Sequence, residues 1–153
     1  MATTVHYDVE FVEQDRTAVS TALLVTRLAA GLVMLAHGAQ HLFGSFGGPG
    51  LTGTVQFLGP VGYLVAIGEF FGALGLLVGV LSRFSAAAII VIMIGAIATQ
   101  HYPNGFFMNW TGSQKGEGFE FHLLMIGTLL STLIAGPGVF ALSKFLPLPT
   151  AME

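Results

Sequence analysis

The sequence contains no cysteine and very little charge. Without cysteine, disulfides, iron–sulfur ligation and thiol catalysis are excluded. Charged residues make up only 8% of the chain, whereas a soluble domain carries about a quarter, so this chain cannot cover a water-facing surface. The net charge of −3 and the lack of a basic run exclude a nucleic-acid partner. With 54% hydrophobic residues and a mean hydropathy of +0.80, the composition predicts an integral membrane protein in a lipid bilayer.

Long apolar segments follow one another along the chain. A helix needs about 20 residues to cross a bilayer, and each segment is close to or above that length. The sequence therefore predicts an all-α integral membrane protein, built as a bundle of four transmembrane helices. The predicted helices are residues 17–42, 61–81, 84–100 and 119–140.

These segments divide the chain into three parts. Residues 1–16 are an acidic tail that lacks the positively charged start of a cleavable signal peptide, and it is a candidate docking segment for a partner subunit. Residues 17–142 form the transmembrane domain, and residues 143–153 form a short C-terminal tail. Glycine-rich residues 46–53 and the stretch 101–118 predict substantial loops, whereas the short link between the second and third helices predicts a tight hairpin.

Positive charges are distributed unevenly between the predicted loops. Arg16, Arg83 and Lys144 fall on the side shared by the two termini and the hairpin, and Lys115 falls on the other side. By the positive-inside rule, both termini are expected in the cytoplasm and the two long loops outside.

The second predicted helix carries glycines at helical spacing along one face. Small residues let helix backbones approach closely in lipid. The stripe therefore predicts tight packing inside one subunit or, as the alternative, an interface between subunits. Its members are Gly68, Gly72, Gly75 and Gly79.

Two charged residues lie inside predicted helices. Ionisable groups in a membrane are rare and usually face the bundle interior or each other. Arg27 and Glu69 lie at depths that an arginine side chain can bridge, so the two are expected to pair across adjacent helices. The pair is interpreted either as a structural tie or as a catalytic pair. In the catalytic case Glu69 takes and gives protons beside a redox site, and Arg27 adjusts its proton affinity.

Histidines are predicted to gather at the outer ends of the helices. His37 and His41 are spaced i, i+4 on the first helix, His101 ends the third helix and His122 opens the fourth. Three interpretations remain open. The histidines could form a metal or haem site completed by His101 or His122, a quinone pocket, or a buried hydrogen-bond network.

In a quinone pocket, neutral imidazoles would donate to a quinone carbonyl while Glu120 or Glu69 passes protons. At helical spacing Glu120 and His122 point about 200° apart, so they cannot both face one cavity, and Glu117 is an alternative to Glu120. Aromatic residues available to wall the ring are Phe43, Phe46, Phe106, Phe107 and Trp110.

Together these residues resemble the DoxX family of small bacterial four-helix membrane proteins. The resemblance covers residues 20–142 and rests on RLAAGLVMLAHGAQHLFG, GEFFGALGLLVGVLSRFSA, HYPNGFF and EFHLLMIGTLLSTLIAGPG. It implies a quinone-linked respiratory role in the bacterial cytoplasmic membrane. Where the family more often has lysine this chain has His41, a group that titrates near neutrality. The site residues carried over by the resemblance are Arg27, His37, Gln40, Glu69 and Glu120.

The leading hypothesis is a quinone-interacting subunit of a membrane oxidoreductase. His37, with His41, would bind the quinone head, and Glu69 with Arg27 would form a proton-coupled pair. Since the sequence has no cysteine, dinucleotide motif or phosphate loop, a partner subunit would supply the electrons. The main alternative is a non-catalytic assembly or anchor subunit of a larger complex. The protein partners expected are other subunits or further copies of this chain. A small transporter is less favoured because no inverted repeat is evident.

Overall fold

The computed structural model describes residues 9–147 and Met152, with side chains from Asp15 onward. Across these residues the chain forms helices and no strands, which confirms the all-α class. The α-helices are α1 Val9–Phe43, α2 Gly50–Leu58, α3 Val61–Val78, α4 Ser82–Ala96 and α5 Glu120–Ala135.

Four of the helices form the transmembrane bundle. Helices α1, α3 and α4, the last with its continuation to Asn104, are long and apolar enough to cross a membrane. Helix α5 is apolar but shorter, with 16 residues, which corresponds to about 24 Å. The predicted four-helix bundle is therefore confirmed, and the chain is a multi-pass membrane protein. With 35 residues, α1 is about 52 Å long, so it extends beyond the hydrocarbon layer.

Helix α2 lies in a region where the sequence predicted a glycine-rich loop. Gly44 and Gly47 adopt positive φ angles, and these turns reverse the chain after α1. A helix then forms over the apolar stretch that follows Pro49, and the Thr54 hydroxyl donates to the carbonyl of His41 at 3.1 Å. The prediction of a loop was wrong for residues 50–58 because the glycines are confined to the turn and the first part of the helix, whereas residues 54–58 contain none.

The hairpin between α3 and α4 is tight, as predicted. Gly79 follows α3 with φ +72°, and a Cβ there would lie 2.8 Å from Ala141, so only glycine fits. The carbonyl of Gly79 also accepts a hydrogen bond from the backbone N–H of Ser143 at 3.2 Å. The segment after α5 is thereby held against the hairpin. We call this end of the bundle, formed by the hairpin and residues 136–146, the terminal end.

The glycine stripe of α3 packs inside the chain. A Cβ at Gly68 would meet Ile92 at 2.9 Å, one at Gly72 would meet Ile89 at 3.2 Å, and one at Gly75 would meet the Ser85 hydroxyl. All three contacts are with α4. The stripe therefore serves close packing of α3 on α4 within one subunit, the first of the two alternatives.

Helix α1 packs on the opposite side of α3. A Cβ at Gly38 would lie 2.5 Å from the backbone nitrogen of Phe70, and one at Gly31 would lie 2.8 Å from Leu77. The fully buried core between the helices includes Met34, Leu76, Ile89 and Leu129. Because two glycines bring the backbones of α1 and α3 together, side chains further along α1 reach those on α3.

Candidate functional site

The closest polar contact in the described bundle joins α1 to α3. The Nδ1 atom of His41 donates to the Glu69 carboxylate at 2.5 Å. The Glu69 side chain is 5% exposed and the His41 side chain 30% exposed, so the carboxylate is inside the bundle and the imidazole lies at its edge. The close approach at Gly38 brings these two side chains together, since His41 lies one turn further along the same face of α1.

Arg27 does not pair with Glu69, so the prediction of an ion pair between them was wrong. Arg27 is fully buried, and its Nη1 and Nη2 atoms donate to the carbonyls of Leu76 at 2.8 Å and Phe140 at 2.7 Å. Gly38 is the α1 residue packed against Glu69. The distance along α1 from residue 27 to residue 38 is about 16 Å, which exceeds the reach of an arginine side chain. Arg27 instead ties α1 to the end of α3 and to the segment after α5.

His37 lies beside the pair, one turn before His41. Its ring contacts the ring of Phe121 on α5, with centroids 5.7 Å apart, and it lies close enough to Glu69 and His41 to interact with both electrostatically. The His37 ring makes no hydrogen bond to any other residue in the described part of the chain. Its N–H group is therefore available to a ligand or to water.

A second histidine pair connects the extension of α4 to α5. Residues Ile97–His101 form a π-helical turn, a feature frequent at functional sites, and the ring centroids of His101 and His122 are 4.1 Å apart. His101 donates from Nδ1 to the carbonyl of Glu117 at 2.9 Å. His122 is 7% exposed, and its buried Nδ1 atom has no hydrogen-bond partner.

The two acidic residues expected near the histidines bind the loop that precedes α5. Glu120 accepts hydrogen bonds from the backbone N–H of Met108 at 2.9 Å and from the indole of Trp110 at 3.1 Å. Glu117 accepts from the backbone N–H of Asn109 at 2.6 Å. Of the two residues about 200° apart on α5, His122 is the one that faces inward. Among the described residues, neither glutamate forms a hydrogen bond or an ion pair with His41 or Glu69.

Gln40, near the C-terminal end of α1, packs against the turn that follows the helix. Its Cβ and carbonyl pack so closely against Gly48 that a Cβ there would lie 2.6 Å from the Cβ of Gln40. The Gln40 side chain forms no hydrogen bond with the described residues. Gln40 therefore braces the turn after α1.

The two pairs lie at the same end of the bundle, which we call the histidine end, and His37 lies between them. His37 interacts electrostatically with His122 as well as with Glu69. The rings of Phe121 and His122 make a T-shaped contact, with their centroids 5.4 Å apart. Within the described residues, no group of three or more histidine, aspartate or glutamate side chains is arranged to hold a metal ion. The arrangement can donate hydrogen bonds and hold protons at several neighbouring sites.

The sequence pointed to all four of these histidines and to Glu69 but missed two features of the site. It paired Glu69 with the wrong residue, although the spacing of Gly31 and Gly38 on one face of α1 was a signal that α3 approaches there. It also did not single out Phe121, whose ring contacts the rings of both His37 and His122. Among the many aromatic residues in apolar segments, its spacing carries no distinguishing signal.

Comparison with known proteins identifies one family. A family model described as DoxX matches residues 22–102, which is more than half of the chain. The match includes the His41–Glu69 pair and His37 and ends directly after His101. No curated protein and no solved structure matches the chain.

Proposed function

The chain belongs to the DoxX family, and we propose that it is a quinone-interacting membrane subunit of a respiratory-type oxidoreductase complex. Its place in this proposal is the bacterial cytoplasmic membrane, with both termini in the cytoplasm. Because the sequence has no cysteine and no dinucleotide or phosphate-binding motif, a partner subunit supplies the electrons.

The observation that carries the proposal is the buried His41–Glu69 pair beside a histidine with a free ring. A quinone, when bound, supplies two-electron chemistry that is coupled to two protons. The residues fit such a group, since the His37 ring has no hydrogen-bond partner among the described residues and the Nδ1 atom of His122 is buried and unpartnered. Both imidazoles can donate to a carbonyl oxygen, and each makes a ring contact with Phe121.

The His41–Glu69 pair has the chemistry to hold and release a proton. Histidine is the side chain whose charge changes near neutral pH, and here its Nδ1 atom is shared with a carboxylate. His41 is partly exposed at the bundle edge, and in the proposed function it exchanges protons with the outside. Glu69 is buried, so it presents the proton inside the bundle.

His101 and His122 form a second link between the bundle interior and the surface. His122 is buried beside His37, while His101 is half-buried and bonded to the loop carbonyl of Glu117. In the proposed function this pair positions the loop over the site, and His122 donates to the ligand.

The experiment is to measure quinone per chain. The protein is purified in mild detergent and in lipid nanodiscs, extracted with organic solvent and assayed for quinone against protein. We expect near-stoichiometric quinone in the wild type, a loss of more than about fivefold, corresponding to about 1 kcal/mol, in His37→Ala, and no change in His6→Ala. His6 is the matched control because it is a histidine outside the four at the histidine end. Quinone that is absent from nanodiscs, or unaffected by His37→Ala, contradicts the proposal.

A second candidate function is that of a non-catalytic assembly subunit. It is favoured by the use of Arg27, Arg83 and Glu120 as ties to backbone groups. In that case Glu69→Gln and His37→Ala impair assembly of the complex without a separate loss of quinone activity. Normal assembly with lost quinone reduction favours the quinone-interacting subunit.

The minor alternative is a histidine-bound metal or haem. The histidine end offers two-residue pairs of ligand type, His41 with Glu69 and His101 with His122. Metal analysis and the visible spectrum of the purified protein distinguish this alternative from a quinone site.

A further inference from the structure

The terminal end of the bundle contains a cavity that the proposed function does not use. Its volume is about 600 Å³, within the range of about 300–1,000 Å³ that is typical of small-molecule sites. It opens between residues 15–23 of α1, the start of α4 and the segment after α5. The cavity and the histidine end lie at opposite ends of the bundle.

Most of the few basic residues of this protein line the cavity. Three of the five lysine and arginine residues of the chain line it, namely Arg16, Arg83 and Lys144. The carboxylate among its lining residues is that of Asp15. None of the three basic groups forms an ion pair with another described residue. Among its described lining residues the cavity therefore has three positive groups and one carboxylate, which leaves a net positive charge.

Arg83 is held in place at the cavity. Its Nη1 atom donates to the carbonyls of Leu133 at 2.6 Å and Ile134 at 2.8 Å, in the last turn of α5. These bonds use one nitrogen of the guanidinium, so the Nε and Nη2 atoms keep their N–H groups for another acceptor. A guanidinium fixed in this way presents a preorganised fork, the geometry that suits phosphate oxygens.

One of the residues that line the cavity has a buried hydroxyl group without a partner. Ser143 is 5% exposed and lines the cavity, and its Oγ atom has no hydrogen-bond partner. The neighbouring Ser20 differs, since its Oγ accepts from the backbone N–H of Val139 at 3.2 Å. An unpaired polar group at this degree of burial is costly, and a rotation of this side chain toward a bound anion would give its O–H group an acceptor.

We propose that this cavity binds a phosphate-bearing anion, for which the head group of an acidic phospholipid is the source best suited by position. The cavity opens where the apolar helices end, and its walls combine the basic groups with Val19, Leu23 and Leu146. Basic side chains beside an apolar surface suit an amphiphile with a negatively charged head. The proposal does not depend on quinone binding.

The test is lipid binding by the full-length protein, measured by native mass spectrometry from mild detergent. Phosphatidylglycerol is titrated against phosphatidylcholine with the same acyl chains. We expect one phosphatidylglycerol per chain, with an affinity about tenfold higher than that of phosphatidylcholine. Arg16→Gln and Lys144→Gln should each lower the affinity for phosphatidylglycerol about fivefold, because both groups line the cavity and neither holds a backbone carbonyl.

Lys115→Gln is the matched control, since it removes the same charge from the loop before α5, outside the cavity lining. Equal binding of the two lipids, or an equal loss in Lys115→Gln, overturns the proposal. Ser143→Ala tests the hydroxyl separately and should weaken binding without changing the charge.

Competition identifies the source of the anion. Short-chain phosphatidylglycerol and inorganic phosphate are each added to the complex with the long-chain lipid. Displacement by the short-chain lipid alone supports a phospholipid head group. Displacement by inorganic phosphate at the same concentration supports a site for free phosphate. Displacement by neither contradicts a site that recognises the phosphate.

Discussion

Removing one partner of the His41–Glu69 pair should destabilise the bundle more than weakening both together. The Glu69 side chain is 5% exposed, so His41→Ala leaves a carboxylate without its partner inside the bundle. Breaking a buried pair costs about 3–5 kcal/mol. Because the His41 side chain is 30% exposed, the pair is not fully buried, and we expect the lower end, about 3 kcal/mol of unfolding free energy.

Companion variants isolate the charge of the pair. Glu69→Gln keeps a hydrogen-bonding group opposite His41 and should cost about 1 kcal/mol. The double variant His41→Ala/Glu69→Gln should be more stable than the sum of the two single effects by about 2 kcal/mol, because no buried charge remains. His41→Lys places an ammonium group opposite Glu69 and should lie within about 1 kcal/mol of the wild type.

The assay is unfolding in mixed micelles of mild detergent and sodium dodecyl sulfate, followed by far-ultraviolet circular dichroism. The control is the double variant Arg27→Met/Glu69→Gln, whose effects should add to within about 0.5 kcal/mol, since the two residues have separate partners. Additive effects for His41 and Glu69, together with a large coupling between Arg27 and Glu69, would refute the assignment of partners made here.

Three further predictions concern packing and ties. Gly38→Ala should cost about 2 kcal/mol of unfolding free energy, because its Cβ would lie 2.5 Å from a backbone nitrogen of α3, whereas Gly95→Ala, with no atom within 4 Å of its Cβ, should cost nothing in the same micelle assay. Arg27→Met should cost about 2–4 kcal/mol there, because two backbone carbonyls lose charged donors. Glu120→Gln should raise the hydrogen exchange rate of the Met108 amide, measured by mass spectrometry, because a charged acceptor of that N–H is replaced by a neutral one; an unchanged rate contradicts its role in holding the loop.

Much of the fold follows from composition and local pattern. Apolar segments of the right length predict the four spanning helices, and the position of Pro49 marks where the chain turns before the second of them. Helix α2 was missed because nine residues are too few for a reliable periodic signal, and its stability comes from contacts with α1 and α3. The Thr54 bond to the end of α1 is such a contact, and no local rule predicts it.

The sequence identified the residues of the candidate site but did not predict correctly which of them pair with each other. Ionisable residues in apolar segments are conspicuous, so His37, His41 and Glu69 could be identified from the sequence alone. Which of them touch depends on how α1 is translated and rotated against α3. That register is set by Gly31 and Gly38, which determine where the two backbones meet.

The actual pairing bears on what Glu69 can do. A carboxylate bonded to arginine faces a charge that does not titrate, since guanidinium stays protonated. Glu69 faces His41 instead, a group that gains and loses its proton near neutral pH. Arg27 donates instead to the carbonyls of Leu76 and Phe140. The fold thus separates the structural arginine from the buried carboxylate, and that separation leaves Glu69 in a pair able to exchange protons, as the proposed quinone-linked function requires.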